Sequence, residues 1–205
     1  RKYLISSLDQ SLKRMKVDYV DVFYSHRYDP DTPLEETMQA LVDIVRSGKA
    51  LYAGISNYPV EAAEYAYNYL RYHDTPCLLH QLKYSILHRV PENEGLLQQA
   101  KEAGSGFIAF SPLAQGLLTD RYLGGIPEDS RAARDFTLKK SSITAELVEK
   151  LKKLDEIASD RGQSLAQMAL SWVLKDDLVT SVIVGASSIS QLDDNLQAVM
   201  NTDFC

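Results

Sequence analysis

Leu4, Ile5, Leu8, Leu12 and Met15 recur at helical spacing, with Asp9, Gln10, Lys13 and Arg14 on the opposite face. This pattern predicts an amphipathic helix at the start of the chain. An apolar run over Tyr19–Tyr24 predicts a strand, which stops at the polar cluster Ser25-His26-Arg27. A helix start follows, with Thr32 as cap, Pro33 in the first turn, and Glu35 and Glu36 near the positive end of the helix dipole. Leu34, Met38, Leu41, Val42 and Val45 form its apolar face, and Ser47-Gly48 ends it. A second strand, Ala50–Ile55, carries the tip Ser56-Asn57 and leads to a helix around Val60–Arg71. A third, Cys77–Leu82, has Gln81 and Lys83 near its tip. Glu92–Ala103 is predicted helical and closed by Gly104. A fourth strand, Gly106–Phe110, runs into Ser111–Gly116. Leu117–Ser142 breaks the rhythm with Gly, Pro and charge, and loops of that length are usually functional or mobile. Two helices, Thr144–Arg161 and Ser164–Leu174, come next, the latter with a stripe of Leu165, Ala169, Trp172 and Val173 expected in the core. A fifth strand, Val179–Val184, ends in Gly185-Ala186-Ser187, and Gln191–Met200 is the last helix.

Alternation of strands with helices implies a parallel sheet. In such sheets ligands sit at the carboxyl ends of the strands, so the polar tips converge on one face. No phosphate-binding glycine fingerprint of the Rossmann or P-loop kind is present. The pattern therefore points to a (β/α)8 barrel, which five strands do not close.

Composition narrows the classes of function. The 205 residues have 45% hydrophobic and 24% charged content, ordinary for a soluble globular protein. A net charge of -6 argues against sequence-independent nucleic-acid binding. No apolar run approaches the roughly 20 residues of a membrane span. Cys77 and Cys205 lack metal or redox spacing and read as free thiols of a reducing, cytoplasmic compartment. The chain opens with Arg1-Lys2-Tyr3 inside a helical pattern, so a preceding segment is expected. By themselves, Ser56-Asn57 is an ordinary turn, Phe110 and Trp172 are core, and His80 and His88 are structural. Arg121 and Arg131 by themselves read as a solvated loop face.

Together, Tyr19-Val-Asp-Val-Phe-Tyr-Ser-His26, Gly54-Ile-Ser-Asn57, Phe110-Ser-Pro-Leu-Ala-Gln-Gly116 and Val184-Gly-Ala-Ser187 with Gln191 and Asn195 resemble the aldo-keto reductases. The likeness extends to the branch of bacterial L-glyceraldehyde 3-phosphate reductases and potassium channel β-subunits. The resemblance implies a (β/α)8 TIM barrel, here strands four to eight, with residues 1–205 as the C-terminal part of a single barrel domain. It implies NADPH-dependent reduction of small aldehydes, of the glyceraldehyde 3-phosphate or methylglyoxal kind, by hydride transfer. His26 takes the carbonyl-orienting role, while the family's Tyr, Lys and Asp fall outside this chain. Ser56, Asn57 and Gln81 are assigned to the nicotinamide carboxamide, and Phe110 to its ring. Ser111, Pro112, Leu113 and Gln115 are assigned to the pyrophosphate, and Arg121 and Arg131 to phosphate clamping. Gly185, Ser187, Gln191, Asp194 and Asn195 are assigned to the 2′-phosphate ribose and adenine. Neutral Ser188 and Gln191, where many members place cations, weaken the preference for NADP over NAD. No metal site is expected. A homo-oligomer is expected, without nucleic-acid or membrane partners. The alternatives are an NADP(H)-binding regulatory subunit and a fragment inactive by itself.

Overall fold

The computed structural model describes residues 1–204, so the reading of Cys205 lies outside the described residues. The elements are α1 (Lys2–Met15), β1 (Val20–Ser25), α2 (Leu34–Arg46), β2 (Ala50–Ser56), α3 (Val60–Tyr72), β3 (Cys77–Lys83), α4 (Val90–Asn93), α5 (Leu96–Glu102), β4 (Gly106–Phe110), α6 (Ala145–Asp160), α7 (Leu165–Val173), β5 (Ser181–Ile183) and α8 (Ile189–Leu196). The strands follow chain order, β1-β2-β3-β4-β5. The β1–β2 and β2–β3 pairs are parallel, with Ser25 beside Ile55 and Ser56 beside Gln81. Parallel neighbours separated by helices follow from the strand–helix alternation.

The chain forms two compact units, one of residues 1–82 with 90–108, the other of residues 83–89 with 109 onward. In the first, Leu8 and Leu12 of α1, Ile44 of α2 and Ala50 of β2 make a buried cluster, with Leu4, Ile5, Val20 and Phe23 packed on it. The helical periodicity of α1 is thus spent on covering β1 and β2. Met38, Leu41 and Val42 of α2 are fully buried, as their spacing predicts. Cys77 is a buried free thiol, and burial pushes it up to about 11, which leaves it protonated and unreactive.

Several local expectations are corrected. Thr32 does not cap α2; its hydroxyl donates to Asp29 Oδ2 at 2.7 Å, and Pro33 occupies the cap position. The helix expected over Glu92–Ala103 is split, because Gly95 takes a left-handed φ of 77° between α4 and α5. β5 is shorter than Val179–Val184. α8 begins at Ile189, since Ser188 Oγ accepts from the Gln191 amide and caps it, and its last turn tightens into a 3-10 turn over Gln197–Met200.

In the second unit the segment after β4 is a packing element. Leu117, Leu118, Tyr122, Ala132 and Leu138 are buried with Leu151 of α6 and Ala169 of α7. Ser164 starts α7 with a reciprocal capping box to Gln167. Trp172 is only half-buried, because the Lys175 ammonium lies 4.1 Å from its ring and the Arg89 guanidinium 5.2 Å from it. Arg161 ties down the chain end. It donates to the carbonyl of Asp203 at 2.8 Å and stacks 3.9 Å from the Phe204 ring. Arg161→Ala is expected to cost about 1 kcal/mol and to speed amide exchange at residues 201–204. Unchanged exchange there would contradict the tether.

Candidate active site

Each unit carries one group of the expected residues. In the first, they sit where β1, β2 and β3 end. β1 delivers His26 directly after buried Ser25, and His26 itself is exposed. Ser56, the last residue of β2, is buried and pairs with Gln81 of β3. Asn57 then turns left-handed, at φ 56°. Its backbone amide donates to the Gln81 carbonyl at 3.2 Å. Its side-chain Nδ2 donates to the His26 carbonyl and to Ser56 Oγ, both at 2.9 Å. With both amide protons so directed, the Asn57 side-chain oxygen is the part left to accept from a ligand. His26, Ser56, Asn57 and Gln81 are therefore brought together at the carboxyl ends of three adjacent strands.

Two features beneath this group have contacts that the sequence does not show. Ser25 Oγ and Tyr58 Oη share a buried 2.7 Å hydrogen bond. Burial pushes the Tyr58 phenol up to about 12. Gly54 is the other: a Cβ there would lie 2.7 Å from Tyr24 Cε1 and 3.1 Å from the Leu79 carbonyl. His80, on the same strand as Gln81, takes no place in the group. It is fully buried, and its Nδ1 is 2.7 Å from Tyr67 Oη.

In the second unit Phe110 ends β4, and its carbonyl accepts from the Tyr84 amide at 3.3 Å. The turn beyond it is strained. Ser111, Ala114 and Gln115 have φ of 54°, 48° and 63°, followed by Gly116 at 97°. Left-handed geometry costs a non-glycine residue of order 1 kcal/mol, and such strain clusters at functional sites. The turn is closed by the Ala114 amide donating to the Ser111 carbonyl and the Gly116 amide to the Leu113 carbonyl, both at 2.9 Å. Ala114 also buries its methyl in the cluster with Leu117, Leu118 and Tyr122. Arg121 pairs with Asp129 at 2.6 Å, and that cation holds the Asp129 carboxyl below its ordinary value. Arg131 is exposed.

Gly185 and Ser187 lie exposed after β5, where Ser187 donates through both its amide and its hydroxyl to Gln191 Oε1, each at 2.8 Å. Asp194 accepts from Ser164 Oγ at 3.1 Å and Gln167 Nε2 at 2.6 Å, so its carboxylate braces α8 on α7. Asn195 follows it, half-buried.

Polar groups gathered at strand carboxyl ends, with a strained turn after a further strand, belong to an enzyme-like α/β protein of parallel-sheet type. Residues 1–204 match the aldo/keto reductase family, and the chain belongs to that family. It is 53% identical over 208 residues to the L-glyceraldehyde 3-phosphate reductase of Escherichia coli (strain K12), covering 100% of this chain and 60% of that protein. It is 35% identical to a putative voltage-gated potassium channel subunit beta of Schizosaccharomyces pombe, covering 97% of this chain and 59% of that one. Among solved structures it resembles a thermostable aldo-keto reductase in complex with the inhibitor epalrestat, with a TM-score of 0.75 at 30% identity over 98% of this chain and 62% of that one. An aldo-keto reductase from Bacillus halodurans in holo form gives a TM-score of 0.72 at 28% identity, over 100% of this chain and 63% of that one. The chain thus spans about 60% of the length of the curated relatives it matches. The fold is the expected portion of the family's (β/α)8 barrel.

Proposed function

We propose that this chain carries the cofactor side and the histidine of an NADPH-dependent reductase of small aldehydes, of the glyceraldehyde 3-phosphate or methylglyoxal kind. The observation that carries it is Asn57, strained to φ 56° while its amide ties His26 to Ser56. On this reading, the His26 imidazole would orient the substrate carbonyl beside the residues that recognise the carboxamide.

The residues present fit the cofactor. The Ser56 hydroxyl and the Asn57 and Gln81 amides supply the mixed donors and acceptors that a carboxamide needs. The turn 111–116 offers backbone N–H groups of the kind that cradle phosphate oxygens. When bound, reduced nicotinamide supplies the hydride. Phe110 would lie against its ring, Pro112, Leu113 and Gln115 along its pyrophosphate with Ser111, and Arg121 and Arg131 on its phosphates. Gly185, Ser187, Gln191, Asp194 and Asn195 would hold the adenine side. Ser188 is committed to capping α8 and Gln191 to Ser187, and both are neutral, which weakens the preference for NADP over NAD. His26 would hold the substrate carbonyl oxygen in line for transfer, a matter of orientation. None of the 12 tyrosines is proposed as the proton donor. That acid, with its Lys and Asp partners, would come from the part of the relatives that this chain does not span. The same reading makes the protein a cytoplasmic homo-oligomer without nucleic-acid or membrane partners. Among the described residues no helix is long and apolar enough to cross a membrane. A monomeric mass by light scattering would sink the oligomer.

In the natural full-length protein, His26→Gln is expected to lower kcat for methylglyoxal by about 10- to 100-fold while NADPH still binds. Loss of NADPH absorbance in stopped flow reads the first, and fluorescence titration the second. A second reading, a redox-reporting regulatory subunit, is favoured by the 35% identity to the channel subunit relative. Tight NADPH binding with no turnover of any aldehyde would support it over the enzyme.

A further inference from the structure

His26 stands on a turn with no ladder of its own, since β1 ends at Ser25 and no regular element resumes until α2. Its side chain is exposed, so its direction depends on how that turn is held. Three contacts hold it, all made by the consecutive residues Asn57 and Tyr58. Asn57 Nδ2 donates to the His26 carbonyl at 2.9 Å. Tyr58 Oη is hydrogen-bonded to Ser25 Oγ, the residue before His26, at 2.7 Å. The Tyr58 ring packs at 58° against Tyr28, two residues after His26, with centroids 5.7 Å apart. Tyr58 is itself only 1% exposed, so it is a fixed post, with two side-chain torsions locked by its surroundings.

We infer that Tyr58 is a positioning residue, which grips the His26 turn on both sides and sets the direction of the imidazole. This rests on the proposed role of His26. Burial keeps the phenol neutral well above working pH, so the bond to Ser25 is not lost by titration. A tyrosine serving only as core filling would contribute ring burial, and the loss of its hydroxyl would register as stability alone.

The test uses the natural full-length protein with Tyr58→Phe, Ser25→Ala, their combination and Ser25→Thr. Tyr58→Phe and Ser25→Ala are each expected to lower kcat for methylglyoxal about fivefold, because small misplacements of catalytic groups are costly. NADPH affinity should stay within about twofold. The double variant should be no worse than the worse single, because both remove one shared bond, and Ser25→Thr, which keeps a hydroxyl, should recover activity. Backbone nitrogen relaxation should show His26 and Arg27 more mobile in Tyr58→Phe. A lower melting temperature with unchanged kcat would overturn the inference, as would additive losses in the double variant. Silence of His26→Gln would overturn the reading of His26 itself. Unchanged relaxation at His26 in Tyr58→Phe overturns the clamp, whatever His26 does.

Discussion

Gly54→Ala is expected to destabilise the protein by about 3 kcal/mol, at the upper end of overpacking costs. The added methyl would sit 2.7 Å and 2.8 Å from two atoms of the Tyr24 ring and 3.1 Å from the Leu79 carbonyl. Both ring contacts are closer than real Cβ atoms tolerate. The ring can yield only by leaving its place over β2, and the carbonyl belongs to the neighbouring strand. The perturbation lies two residues before Ser56, so NADPH affinity should fall with stability. Urea unfolding midpoints measure the first effect and fluorescence titration the second. Adding Tyr24→Ala should recover most of the stability cost, leaving only the strain against the Leu79 carbonyl. An equal cost in both backgrounds would show that the ring is not what Gly54 accommodates.

The second large effect concerns acid. His80 is fully buried, and burial lowers it from 6.5 to about 4. Its Nε2 has no hydrogen-bond partner, so nothing compensates a charge there. The unfolded chain takes up a proton as pH falls below 6.5, while the folded one refuses it until about 4. The stability contributed by neutral His80 is therefore complete above pH 6.5 and drains away on the descent to 4, a loss of about 3 kcal/mol in all. His80→Asn keeps a group that can bond Tyr67 and removes the titration. It should be less stable near neutrality, because of the smaller side chain, yet show a visibly flatter dependence across that window. A slope equal to the parent's would place the acid sensitivity elsewhere.

What could be read from the sequence, and what could not, divides by the range of the forces involved. α1 and the buried face of α2 were legible, because period and burial are the same fact seen twice. The tips Ser56-Asn57 and Gln81 were legible as a group, since parallel pairing obliges strand ends to meet. Gly95 was missed as a helix break because a lone glycine inside an apolar-periodic run reads as a tolerated residue. The burial of Leu118, Tyr122 and Leu138 was hidden because they lack period; they pack on α6 and α7, distant in sequence. Trp172 reads as core from the stripe it shares with Leu165, Ala169 and Val173; its partners Arg89 and Lys175 meet it only in three dimensions. The Ser25–Tyr58 bond was invisible for the same reason, its two hydroxyls being 33 positions apart.

The left-handed residues Ser111, Ala114 and Gln115 have a bearing on engineering. A search for thermostabilising substitutions would find Ser111 and Gln115 first, since glycine relieves left-handed strain there, whereas at Ala114 it would also remove a buried methyl. Such a variant would melt higher and, on the reading of this turn as the phosphate cradle, hold its nucleotide less well, because the cradle would have to be ordered afresh at each encounter. Screens scored on heat resistance alone would therefore tend to select against function at this one corner of the chain.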